Sequence, residues 1–106
     1  MADSASSRKP PQACADLTEL RAEIDRLDHD LVALLASRSG YVARAAQLKQ
    51  NRAAIVDQAR IEQIIARVRS DAAGHGADAD VIEDIYRAMI NAFIAYERRI
   101  FDRDKG

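Results

Sequence analysis

The stretch LTELRAEIDRLDHDLVALLASRSGYVARAAQLK, residues 17–49, decides the fold. Its apolar residues fall at Leu17, Leu20, Ile24, Leu27, Leu31 and Leu34, then at Tyr41, Ala45 and Leu48. Steps of three and four are the period of an α-helix with one buried stripe. No proline interrupts the stretch, and its only glycine is Gly40. Asp16 with Glu19 three residues on has the pattern of a capping box that starts the helix. The expected first helix is roughly 30–35 residues long, or about 50 Å at 1.5 Å per residue.

Beyond it the stripe lapses over Gln50–Val56, which reads as a connector. Asp57 is placed to cap a second helix whose apolar face is Ile61, Ile64, Ile65 and Val68. Gly74-His75-Gly76 breaks that helix. Asp80 with Glu83 offers a second capping box. A third helix follows, with Ile82, Ile85, Tyr86, Met89, Ile90, Phe93, Ile94 and Ile100 facing inward. Alternating β-branched runs and Asn-Gly or Asp-Gly hairpin turns are absent, so the expected class is all-α. Residues 1–15 are rich in Ser, Ala, Pro and charge and read as a disordered leader before one helical domain over 16–106.

The first helix is too long for a chain of this size. A compact globule of about a hundred residues has a radius of gyration of roughly 13 Å. A helix several times that length projects, and its stripe stays apolar to the end. The simplest cover is the same helix of a second copy, packed antiparallel in an intertwined homodimer. The competing arrangement is a monomeric three-helix bundle with a frayed first helix.

Bulk composition narrows the partners. A net charge of -1 leaves no basic excess for nucleic acid. Nothing approaches eighteen consecutive apolar residues, so no membrane span is expected. The start lacks the apolar core of a secretory signal, and Cys14 is the only cysteine; both fit a cytoplasmic protein. Two histidines, His29 and His75, make no metal site, and no glycine-rich phosphate loop occurs, so the expected cofactor is none.

The single gap in the apolar stripe is position 38, and it holds an arginine. A cation on a buried seam is expensive unless an anion meets it. That anion is a carboxylate of another helix or of a ligand. Lys49 follows Arg38 by eleven residues, close to three turns, which puts both on nearly one face roughly 16 Å apart. A small dianion fits between two such side chains, although a lysine at a helix end also suits the dipole alone. Arg21 lies too far back to join Arg38 within one chain, but in an antiparallel dimer it reaches the partner's site. Arg60 falls in the first turn of the second helix, an unfavourable place for a cation. A ligand explains it, and so does a salt bridge to Asp57. Glu97 follows Phe93 by four and precedes Ile100 by three, so it leans toward the apolar side. Burial favours the neutral, hydrogen-bond-donating form of a glutamate. A pair with Arg98, Arg99 or another nearby cation is the alternative.

This pattern resembles the all-helical chorismate mutases. The matching text is LRAEIDRLDHDLVALLASRSGYVARAAQLK, residues 20–49, followed by IVDQAR, residues 55–60. Its specific parts are Arg21 after the first leucine, the Ile24-Asp25…Leu27-Asp28 core, mid-helix Arg38, and Lys49. Tyr41-Val42 and Ala45-Ala46 also look like the related isochorismate pyruvate lyases, which form salicylate on the same scaffold. The resemblance implies an intertwined dimer with two shared sites for a dicarboxylate, chorismate or isochorismate. Arg38, with Arg21 of the other copy, is expected to bind the two carboxylates. Lys49 is expected on the ether oxygen and one carboxylate, with Arg60 adding to the grip and Asp57 holding a hydroxyl. Glu97 is expected as the second donor to the ether oxygen. Ile61, where many mutases have a glutamate, leans toward the lyases, and Asp57 leans back toward the mutases. Phe93 replaces a small polar residue of the bacterial mutase pattern. The implied activity is conversion of chorismate to prephenate, with the lyase reaction as alternative. A non-catalytic helical dimerisation module is the reading from another class.

Overall fold

The structure is a computed structural model, and it describes residues 8–105. Three α-helices follow one another: α1 (Leu17–Leu48), α2 (Gln58–Gly74) and α3 (Ala79–Lys105). Two short 3-10 turns, Pro11–Ala13 and Arg52–Ile55, lie between and before them, and no strand occurs among the described residues. The all-α class and the one long N-terminal helix are as the periodicity requires. The described residues fall into two compact units, one ending at Gly40 and the other starting at Tyr41.

In the first unit, Asp16 starts α1 by accepting the Glu19 backbone N–H at 2.9 Å. Glu19 reaches back to the N–H of Ala15, one residue beyond the position of an ordinary capping box, at 2.7 Å. That backbone hydrogen bond, helped by the Lys9 ammonium, holds the Glu19 carboxyl below the usual carboxylate range. Of the leader expected over 1–15, residues 1–7 lie outside the described residues. Further on, Arg8 donates to Asp30 at 3.1 Å and the Lys9 N–H donates to Glu23 at 2.9 Å. None of the described side chains in this unit is buried. The stripe residues Leu17, Ile24, Leu27, Leu31 and Leu34 are all exposed, Leu34 to 68%.

The second unit holds the core. Ala46 of α1, Ile55 of the 3-10 turn, Ile65, Val68 and Ala72 of α2, and Ile90 and Ile100 of α3 are buried. Burying such aliphatic side chains is worth about 1.5–3 kcal/mol each for the larger ones. The connector is therefore more than a spacer: Asn51 caps its turn by accepting the Ala54 N–H at 3.0 Å, and Ile55 plugs into the core. Asp57 then caps α2, accepting the Arg60 N–H at 3.0 Å. At the far end, Gly76 takes a left-handed φ of 72°. Its N–H donates to Ala73 O and the N–H of Ala77 to Ala72 O, closing α2 in a Schellman motif.

Two expectations for α3 change. Its cap is Asp78, which accepts the N–H groups of Asp80 and Val81 at 2.9 and 3.2 Å. The helix begins at Ala79, so Asp80 is already inside the first turn and turns to Arg69 instead. Ile85, expected inward, is 55% exposed. It lies five residues, about 140° of helix rotation, from buried Ile90. The outer seam between α2 and α3 is ionic. Arg69 meets Asp80 and Glu83, and Arg87 meets Glu83 and Glu62. Hydrogen bonds from Arg87, chiefly, hold the Glu62 and Glu83 carboxyls below the usual range.

Candidate active site

Lys49 stands one residue past the end of α1 and extends its last turn, its N–H donating to Ala45 O at 3.1 Å. Its side chain turns to α3. There Nζ lies 2.6 Å from Oε2 of Glu97. Glu97 is the one buried charged residue of the described chain, at 6% exposure. The periodicity placed it correctly toward the apolar side, and the nearby cation that meets it is Lys49 rather than Arg98 or Arg99.

The pair is close in distance yet poorly aligned. Oε2 is fully shielded, and among the described residues no donor, Lys49 included, meets it at a hydrogen-bonding angle. The contact is therefore mainly coulombic. A buried ion pair of this kind is a weak source of stability, since well-packed apolar residues do as well or better in its place. Its presence in an otherwise aliphatic core marks a place where charge has a use.

The other expected site residues are distributed as follows. Asp57 and Arg60 are exposed at the start of α2, and the tie between them runs from the Arg60 backbone N–H to the Asp57 carboxylate. It is a helix cap, not the guanidinium bridge considered from sequence. Arg21 is exposed and Arg38 half-buried, both in the first unit. Ile61 and Phe93 are half-buried. Phe93 packs edge-on to Tyr96, with ring centroids 6.4 Å apart.

Residues the sequence reading passed over gather around Lys49. Lys105, in the last turn of α3, donates to the carbonyl of Gln47 at 3.0 Å and also to the carbonyl of Lys49. Arg52 and Asp102 form a two-pronged pair at 2.9 and 3.4 Å. Neither contact has a signature in the linear text, because both join positions about fifty residues apart. Among the described residues, no group of three or more His, Cys, Asp or Glu side chains is placed to hold a metal ion. No helix among them is long and apolar enough to cross a membrane.

A half-buried lysine just past the long first helix meets a buried glutamate of the last helix, in a sequence that also carries arginines at 21, 38 and 60. Residues 20–98 match the chorismate mutase type II family, and the chain belongs to it. All six expected site residues lie within that match. The chain is 31% identical over 98 residues to the isochorismate pyruvate lyase of Pseudomonas aeruginosa, covering 92% of this chain and 97% of that protein. It is 33% identical over 85 residues to the T-protein of Haemophilus influenzae, covering 78% of this chain and 22% of that protein.

Proposed function

We propose that the protein converts chorismate to prephenate. The rearrangement is intramolecular: the ether C–O bond breaks as a C–C bond forms, and no atom leaves or enters. No nucleophile or proton shuttle is needed. The protein has to hold the substrate in its reactive diaxial shape and stabilise the negative charge that builds on the ether oxygen.

The single observation that carries this reading is the Lys49–Glu97 pair. It holds an ammonium in a sheltered position before any substrate arrives. A donor fixed in advance costs no reorganisation when charge develops. In this proposal Lys49 donates to the ether oxygen as the ammonium, and Glu97 is the second donor in the substrate complex, where it acts as the protonated acid rather than as the carboxylate that pairs with Lys49 in the free protein. Arg38 and Arg21 of a second copy bind the carboxylates, Arg60 strengthens that grip, and Asp57 takes a hydroxyl. The eleven-residue spacing from Arg38 to Lys49, near three helical turns, supports their common aim. The second copy is the proposed cover for the exposed stripe of α1.

Isochorismate pyruvate lyase activity is the second reading. The similarity to the Pseudomonas lyase along nearly its whole length favours it, as does Ile61 beside Arg60. The test is a parallel assay with chorismate and isochorismate, reading prephenate against salicylate. Prephenate is the expected main product; salicylate in excess transfers the assignment to the lyase. Arg38→Ala is expected to abolish turnover while the protein stays folded. Full turnover in that variant overturns both readings.

A further inference from the structure

The last turn of α3 reaches back to the end of α1. α1 has no basic residue in its own last turn. Of its final carbonyls, which a helix leaves without internal partners, that of Gln47 is met by the ammonium of Lys105. Lys105 Nζ donates to Gln47 O and to Lys49 O, the carbonyls on either side of Leu48. The same ammonium lies 5.2 Å from the centre of the Phe101 ring, one turn back on α3, which steadies the long side chain. Three residues before Lys105, Asp102 grips Arg52 through both guanidinium prongs. Five residues before Asp102, Glu97 meets the Lys49 side chain. One helix thus touches the segment 47–52 at three points: backbone carbonyls, the Lys49 ammonium, and the Arg52 guanidinium.

We propose that Lys105 and the Arg52–Asp102 pair are positioning residues, a latch that sets the backbone of Lys49 and thereby the aim of its ammonium. Lys49 sits where α1 has stopped and the next turn has not begun, so its own helical hydrogen bonds hold it from one side only. Glu97 fixes the tip of the side chain and the latch fixes its root. A cation is the right group for the task, because it also complements the negative end of the α1 dipole. Asp102 and Lys105 lie beyond the residues that match the family, which end at 98. The catalytic consequence rests on the proposed role of Lys49 toward the substrate; the latch itself does not.

The test uses the full chain with Lys105→Met, which keeps an unbranched side chain one atom shorter and loses the charge and donors, and Lys105→Arg, which keeps both charge and donors. Backbone amide hydrogen exchange comes first. Lys105→Met is expected to speed exchange selectively over residues 49–54, leaving the middles of α2 and α3 unchanged. Unchanged exchange over 49–54 overturns the latch, and acceleration spread evenly over all helices overturns it as well. Turnover comes second. For Lys105→Met, kcat is expected to fall roughly tenfold or more with KM little altered, since misplacing a reacting group by about an ångström costs up to about a hundredfold. Lys105→Arg should recover most of that loss. Adding Lys105→Met to Lys49→Ala should cost nothing further. If wild type turns over chorismate or isochorismate and Lys105→Met matches it, the positioning role is wrong. If wild type turns over neither, the proposed function fails, and the exchange data alone decide the latch.

Discussion

Lys49 Nζ lies 2.6 Å from Glu97 Oε2, and the two partners are unequally sheltered: the lysine side chain is 27% exposed and the glutamate 8%. Removing either one therefore has different consequences. Lys49→Ala strands a carboxylate inside the core and is expected to cost about 3–5 kcal/mol. Glu97→Ala leaves an ammonium that can swing its tip to water, at roughly 1–2 kcal/mol. The double variant Lys49→Met, Glu97→Leu is expected to return close to wild-type stability while losing turnover. Urea unfolding of the four proteins measures these differences. Equal losses for the two alanine variants count against the asymmetry.

The donor proposed at position 97 is tested separately. Glu97→Gln keeps a hydrogen-bond donor of the same shape and is expected to retain most turnover. Glu97→Ala is expected to lose it by about a hundredfold, the scale of one lost transition-state donor. A Gln variant as inactive as the Ala variant assigns the glutamate to holding Lys49 alone.

The stripe of α1 gives a prediction on assembly. Leu27, Leu31 and Leu34 are exposed to 46%, 52% and 68% in the single chain. A charge on this face opposes any apolar cover. Wild type is expected to sediment as a dimer, and Leu31→Glu to shift toward monomer and lose turnover together. A wild-type monomer at assay concentration removes the shared site from the proposal.

Asp57 has two separable duties. Its side chain caps α2, so Asp57→Ala is expected to cost about 1 kcal/mol. Asparagine caps as well as aspartate, so Asp57→Asn should unfold within a few tenths of a kcal/mol of wild type. A hydroxyl contact to substrate appears only as a fall in kcat/KM for the Asn variant at unchanged stability.

Acid stability depends on the seam between α2 and α3. Glu62 and Glu83 both have carboxyl pKa values lowered from the ordinary 4.5, chiefly by hydrogen bonds from Arg87. Lowered carboxyls stabilise the fold fully above that ordinary value, and the contribution fades as pH falls through the lower folded values. Arg87→Gln should therefore be less stable than wild type near neutrality, and the gap should close in acid. A gap that persists unchanged at about pH 3 rules out this linkage. The effect is modest, since all three side chains are solvent-accessible.

Much of this structure was legible in the linear text, and the limits have physical causes. The long helix, the caps at Asp16 and Asp57 and the inward lean of Glu97 all follow from spacings of three and four residues, which the helix itself enforces. The cap of α3 falls on Asp78 rather than Asp80 because either aspartate can cap a helix, and only the true start at Ala79 selects between them. Ile85 looked like core because hydrophobicity marks candidates for burial without saying which neighbours arrive. The partner of Glu97 could not be chosen among several cations, since Lys49 is separated from it by forty-eight positions and joins it only through packing. Lys105 was invisible for the same reason, its role being set by carbonyls of a distant helix end.

The first forty residues conceal no side chain completely among those described. Isolated helices are marginal in water, so in the proposed dimer this segment draws its persistence from the second copy rather than from its own interior. Dilution then acts as a denaturant. On that proposal the melting temperature of the protein should climb with its concentration, and the number of copies in the cell would set part of the fold's durability.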